Sequence, residues 1–367
     1  MVGCWLRNDS DRPTIPAMKL GMSINYVGDF HSSVERVVEY EKAGLDVVWV
    51  AEAYSIDAVS QVGFLAARTE RVQIGTGILN VYSRTATAIA QTAAGCDYVS
   101  NGRFILGLGA SGPQVIEGFH GVAYDKPMKR IAEYIDVTRM TLRREPVVYD
   151  GTTVQIPLPE GQGTGLGKPL KLINHPVRNE VPIWWASLMP LSVKQTAKSA
   201  DGWLPVFFVP DEFQKVWGDD LKAGTARRDP GLSPLEIGAG ATVAIGEQYA
   251  GAGADAVLDR SRAQTALYWG GMGARDKNFY NTIAQKYGYE QEAIEIQDLY
   301  LDGHKEAAGA AVPRDFLERA NLVGPASYVK ERLGAWKEAG VSVLNVTPVG
   351  PDPVKTFGEL RELLDEA

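Results

Sequence analysis

Glycines mark the part of this chain where residue type and spacing most directly suggest chemistry. They stand at Gly75 and Gly77, and again from Gly107 to Gly112, at the ends of two consecutive predicted strands. Parallel α/β sheets present ligands at the carboxyl ends of their strands, so neighbouring ends without side chains suit a flat cofactor lying on bare backbone. Gly107-Leu108-Gly109-Ala110-Ser111-Gly112 also fits the G-x-G-x-x-G pattern. A dinucleotide site needs a helix starting directly on that turn, because the helix amino end holds the pyrophosphate. Here Pro113 follows, and the pattern predicts a firm helix only from Pro127. A barrel loop lying under a ring or phosphate is the preferred reading; a dinucleotide turn and a purely structural turn stay open.

A second anion site is legible at "WWASLMPLSVKQTAK". A strand ends at Ala186 and a helix starts near Pro190. The backbone amides of Ser187, Leu188 and Met189, with the Ser187 hydroxyl, could cradle a phosphate there. An ordinary capped helix is the alternative. His31, His120, His175 and His304 lack ligand spacing, so no metal site is expected.

These residues need elements to hold them. Strands are expected at Leu20–Ile24, Asp46–Ala51, Val72–Ile78, Phe104–Leu108, 181–186, 202–207, 237–246 and 341–347. Helices are expected between them, the first capped by Ser32 or Ser33, others over Asp57–Arg68, Thr85–Val99 and Pro127–Arg144, and later ones from about Pro210 and Gln248. Eight strand–helix units predict an α/β fold, a (β/α)8 TIM barrel with right-handed crossovers, with a doubly wound open sheet as runner-up. Residues 146–180, a hairpin and a glycine-proline loop, and 270–320, largely helical, read as insertions. Residues 1–17 read as a flexible extension before a single barrel domain over 18–367.

Composition narrows the partners. The 367 residues are 45% hydrophobic and 22% charged, with a net charge of -8. No basic run invites nucleic acid, and no apolar stretch approaches the roughly 18 residues of a membrane span. The cysteines, Cys4 and Cys96, suggest no disulfide framework, which fits a reducing cytoplasm.

Several segments together resemble the luciferase-like monooxygenase superfamily, and within it the oxidoreductases that use the deazaflavin coenzyme F420. They include "GLDVVWVAEAY", "IGTGILNVYSRTATAIAQTAAGCDYVSNGRFILGLGASGP", "KPMKRIAEYIDVTR", "PIWWASLMPLSVKQTAKSADGW", "ALYWGGMGARDKNFYN" and "LVGPASYVKERLGAWKEAGV". The resemblance implies a bacterial luciferase-like barrel with a non-prolyl cis peptide at Gly77-Ile78, backing the deazaflavin. It implies that Glu52, Leu79 and Asn80 line the ring. Gly109, Ala110, Ser111 and Gly112 would lie near ring or tail, and Ala186, Ser187, Leu188 and Met189 would hold the phosphate side. A homodimer is usual for such proteins. The sugar-phosphate dehydrogenase branch has an acid-His pair after strand 2 and a glutamate in the strand-4 loop. Here Glu52 is followed by Ala53, and Gly112 stands in the loop. Reduction of a C=C, C=N or C=O group in a small molecule is therefore expected rather than alcohol oxidation.

A hydride acceptor also needs a proton. Glu52, expected to be desolvated after an apolar strand, is the first candidate, and Tyr54 the second. Tyr82 could donate a hydrogen bond. Arg84 could neutralise an anionic ring or form an ion pair, and His120 could reach the site from the strand-4 loop. The glycine-rich segment around Arg275 could form a lid. Lys168, Lys171, Arg178, Lys194 and Lys198 could meet an acidic coenzyme tail. The alternatives are an FMN-dependent two-component monooxygenase and a non-catalytic flavin-binding protein.

Overall fold

The computed structural model describes residues 17–24 and 28–366; the expected extension over 1–17 lies outside them apart from Ala17. Its strands are β1 Lys19–Ile24, β2 Val47–Val50, β3 Gln73–Thr76, β4 Leu79–Asn80, β5 Phe104–Gly109, β6 Tyr149–Asp150, β7 Gln155–Ile156, β8 Ile183–Trp185, β9 Gly202–Trp203, β10 Glu236–Ile245, β11 Leu322–Gly324 and β12 Val343–Pro348. β12, β1, β2, β3, β5, β8, β9 and β10 pair in parallel in that order, and β10 returns to β12 to close the barrel. The TIM-barrel expectation is met. β11 was not expected. It pairs with the last residues of β10, Val243 to Ile245, beyond the point where β9 stops. Three residues, Leu322 to Gly324, carry too little pattern to announce a strand.

Large rings meeting small residues fill the barrel. Trp49 and Trp184 face each other inside it at 5.2 Å, with Val47, Ile105 and Val343 around them. A side chain at Gly75 would run into the Trp49 ring, and one at Gly202 into the Trp184 ring. The Trp49 indole N–H donates to Asn345 Oδ1 at 2.7 Å, which satisfies that nitrogen inside the packing.

The helix ends show where short-range chemistry was misread. The first helix runs Phe30–Lys42 and is capped by Asp29, whose carboxylate accepts from the amides of His31 and Ser32. Ser32 and Ser33 lie in the first turn instead. A carboxylate takes two orphan amides and complements the positive helix end, so Asp29 outcompetes a hydroxyl. Asp57 and Thr85 cap their helices as the pattern implies. The helix expected from Pro210 starts at Phe213. The one expected from Gln248 is a 3₁₀ turn, Glu247–Tyr249, followed by Ala252–Leu258.

Residues 146–180 and 270–320, expected as insertions, hold a hairpin and a run of helices respectively. β6 and β7 pair antiparallel, and the buried Glu133 carboxylate anchors their turn by accepting from the amides of Thr152, Thr153 and Val154 and from the Thr153 hydroxyl. Helices Phe279–Lys286, Glu290–Leu301, Lys305–Ala310 and Arg314–Arg319 occupy the second. Cys96 is buried in its helix, where desolvation pushes its thiol up to about 12.

Candidate active site

Four neighbouring strand ends, those of β2, β3, β5 and β8, build half of the barrel mouth. The run expected as one strand over Val72–Ile78 is broken into β3 and β4 by a cis peptide at Gly77-Ile78, where the resemblance placed it. Around this bulge the Gly77 amide donates to the Val50 carbonyl at 2.8 Å, and the Glu52 amide donates to the Ile78 carbonyl at 3.3 Å. Gly77 and Ile78 keep partial exposure, whereas Leu79 is fully buried in the core.

The glycines of β5 are explained by this bulge. A side chain at Gly107 would collide with the Thr76 carbonyl oxygen, and one at Gly109 would stand 2.7 Å from Ile78 Cδ1. The Thr76 hydroxyl donates to the Gly107 carbonyl at 2.9 Å and lies 2.8 Å from the Gly107 amide, tying the strands together. Bare backbone at 75, 107 and 109 thus makes room for this chain's own Trp49, Thr76 and Ile78, which corrects the reading of two stripped strand ends awaiting a ligand. Only the peptide at Gly77-Ile78 and the loop beyond Gly109 are left to face outward.

A short helix, Pro113–Gly118, begins directly on the glycine turn with Gly112 as its cap. That corrects the expectation of no helix before Pro127. Proline at the first helical position needs no amide partner, and so opens a helix that periodicity over six residues cannot reveal. Ser111 sits at φ 56°, and its carbonyl accepts from the Tyr124 hydroxyl at 3.1 Å.

The chemical groups sit around this bulge. Glu52 is not in the apolar setting expected for it. Its side chain is 9% exposed, and both oxygens accept from Arg84, at 2.6 and 2.8 Å. The Ala58 amide donates to it as well, at 3.2 Å. Arg84 reaches Asp57 at 2.7 Å, and its backbone carbonyl accepts from the Tyr134 hydroxyl. Hydrogen bonding to Glu52 first, then the charges of Glu52 and Asp57, hold the Arg84 guanidinium above its ordinary pKa against the opposing effect of burial. Tyr54 stands 69% exposed, its ring 6.4 Å from Phe119 of the loop after β5.

Other side chains are committed inward. Asn80 accepts from the amides of Tyr82 and Ser83, closing its own turn. Tyr82 donates to the Asp125 carbonyl, stacks on Tyr124 at 5.3 Å and lies under the Arg130 guanidinium. This cluster staples the β4 loop to the loop after β5. Burial first, then the Tyr124 charge, pushes Tyr82 up to about 12. His120 packs edge-on against Phe119.

The anion site is only partly as expected. Ala186 follows β8 and donates to the Leu108 carbonyl, which sets this segment beside β5. The Ser187 hydroxyl turns in to Thr196 Oγ1 at 2.8 Å, and the Met189 amide donates to Ser192 Oγ. Neither is available to a phosphate. The Ser187 and Leu188 amides have no acceptor among the described residues. Of the expected basic rim, Arg178 is lost: it binds the fully buried Asp97 and the Phe104 carbonyl, at the opposite end of β5. Arg275 pairs with Asp298. The described residues contain no cluster suited to a metal ion.

Arg84 is the residue that sequence reasoning underrated. Its spacing of 32 from Glu52 has no periodic signature, and only the closure of β2 onto β3 brings the two together.

The site thus sits in an eight-stranded parallel barrel whose third strand is broken by a cis peptide. The sequence pattern of the luciferase-like monooxygenase family matches residues 12–342, and the chain belongs to that family. It is 37% identical over 350 residues to a protein of Mycobacterium tuberculosis named as a coenzyme F420-dependent oxidoreductase, across 94% of this chain and 99% of that one. It is 25% identical to the 5,10-methylenetetrahydromethanopterin reductase of Archaeoglobus fulgidus, across 93% and 96%. The F420-dependent tetrahydromethanopterin reductase structure from Methanopyrus kandleri superposes with a TM-score of 0.75 at 20% identity, covering 94% and 97%.

Proposed function

We propose that the chain is an F420-dependent oxidoreductase that passes a hydride between the deazaflavin and a small organic substrate, in the direction that reduces a C=C, C=N or C=O group. One observation carries this reading. The partly exposed Gly77-Ile78 peptide is wedged between the Glu52 amide and bare Gly109, in a chain 37% identical over nearly its whole length to a protein named for that coenzyme.

The residues present suit such a group. The Gly77-Ile78 peptide and the backbone from Ala110 to Gly112 offer a partly exposed face. Ala186 and the two partnerless amides of Ser187 and Leu188, just before the helix Pro190–Ser199, suit its phosphate. The coenzyme, when bound, supplies or accepts the hydride.

The chain's own task is placement and proton supply. Glu52 is a carboxylate fixed by three donors, so it is assigned to holding the bulge and loop in place. Tyr54, with an exposed hydroxyl two residues on, is assigned as the proton donor. Ala53 and Gly112 stand where an alcohol-oxidising branch has a histidine and a glutamate, which supports reduction.

Anaerobic turnover with reduced F420 tests the reading. Oxidation of the coenzyme should depend on an added enone or imine. Tyr54→Phe should lower kcat by about 10²-fold, the scale of general acid catalysis, with the melting temperature unchanged. Coenzyme oxidation that requires oxygen, or a Tyr54→Phe variant with full activity, contradicts it.

A further inference from the structure

A cavity of about 500 Å³ lies where β1 and β12 end, beneath the helix Phe30–Lys42 and the start of the helix Pro353–Asp365. Such a volume is that of an ordinary small-molecule site. Its walls are mainly apolar: Met22, Ile24, Val37, Val346 and Val354, with three prolines. Ser23 and Thr347 also line it. Strand alternation puts Ser23 on the same face as Gly21, and Thr347 on the same face as Asn345, and Gly21 and Asn345 pack together inside the barrel. The cavity therefore runs from the helix layer to the barrel mouth.

Its one deeply buried polar group is Tyr40. The residue is 96% buried, being 4% exposed, with its ring edge-on against Phe357 at 5.2 Å. Tyr40 lines the cavity, and its hydroxyl has no hydrogen-bond partner among the described residues. The hydroxyl is therefore free to donate to a molecule in the cavity, whose oxygen would take the place of solvent there. Burial raises the Tyr40 pKa above its ordinary value of 10, so the group is a donor throughout the physiological range. Arg36, Glu39 and Asp352 stand at the rim, one cation against two anions, which gives an ionic headgroup no strong reason to enter.

We propose that this cavity binds a neutral, largely apolar organic molecule through a carbonyl oxygen that accepts from the Tyr40 hydroxyl. Such a molecule belongs to the class of acceptors that the hydride-transfer reading requires. The catalytic meaning of the site rests on that reading, but binding does not, so the two can fail separately.

The test is calorimetric titration of the full chain, without coenzyme, with benzylideneacetone and, in parallel, with trans-cinnamate, its carboxylate counterpart. The ketone should bind with a submillimolar Kd and the carboxylate more weakly. Tyr40→Phe should weaken ketone binding about three- to tenfold, the worth of one hydrogen bond. Val354→Trp, which fills the cavity from its partly exposed side, should abolish binding while leaving the melting temperature within a few degrees. No ketone binding by the wild-type chain, equal binding by Tyr40→Phe or by Val354→Trp, or tighter binding of cinnamate overturns the inference.

Discussion

Arg84 carries three obligations: it neutralises Glu52, binds Asp57 at the cap of the following helix, and offers its carbonyl to Tyr134. Arg84→Met leaves Glu52 nearly buried with only one amide donor. Losing one partner of a fully buried pair costs roughly 3–5 kcal/mol; with Arg84 itself partly exposed, a loss of about 2–3 kcal/mol is expected. Chemical denaturation should show that loss, and the double variant Glu52→Gln/Arg84→Met should recover part of it. A double variant no more stable than Arg84→Met would contradict the pairing. Residue identity alone suggested Glu52 as important, but not in what state. A carboxyl after an apolar strand reads as desolvated until its cation, 32 positions away, is seen. Ser187 shows the same gap, because nothing in "WWASLMPLSVKQTAK" says that its hydroxyl will choose Thr196 over a ligand.

At the scale of elements, the bulge between β3 and β4 and the glycines of β5 form one device. The Gly107→Ala methyl would overlap a backbone carbonyl that Thr76 and the sheet hold in place, so the strain cannot be relieved by a side chain moving away. Overpacking costs typically 1–3 kcal/mol, and about 3 kcal/mol is expected here, read as a lower denaturation midpoint with an unchanged slope. Unaltered stability would show that β3 can shift.

The hairpin β6–β7 depends on one carboxylate. Burial raises the Glu133 pKa, but the Thr153 hydroxyl and the amides of Thr152, Thr153 and Val154 outweigh it and hold it below its ordinary 4.5. A depressed folded value gives stability that is present above pH 4.5 and lost as pH falls through the folded pKa. Wild type should therefore melt progressively earlier in acid. Glu133→Gln should be less stable at pH 7, with the gap closing below pH 4.5; a gap independent of pH would contradict the assignment.

Elements of distinctive composition, such as the alanine-rich helix Ala86–Val99 and the continuous apolar run of β2, were legible. Short ones were not. The Pro113–Gly118 helix and β11 are too brief for periodicity, and they exist because the closed barrel supplies their partners.

For the whole molecule, eight parallel strands around a two-tryptophan core hold the mouth rigidly, while its loops come from separate parts of the chain. The fold followed from counting strand–helix alternation. The expectation about the site came from resemblance and from glycines whose packing role only the closed barrel reveals. Gly75 shows the difference: it reads as ligand-facing in sequence, yet it faces Trp49.

What the chain binds at that mouth is decided most directly by equilibrium titration of the purified protein with F420 and with FMN in parallel. The account predicts micromolar binding of F420 and much weaker binding of FMN, with F420 affinity reduced in a Gly112→Val variant that remains folded. Tight binding of FMN with no measurable binding of F420 would contradict it.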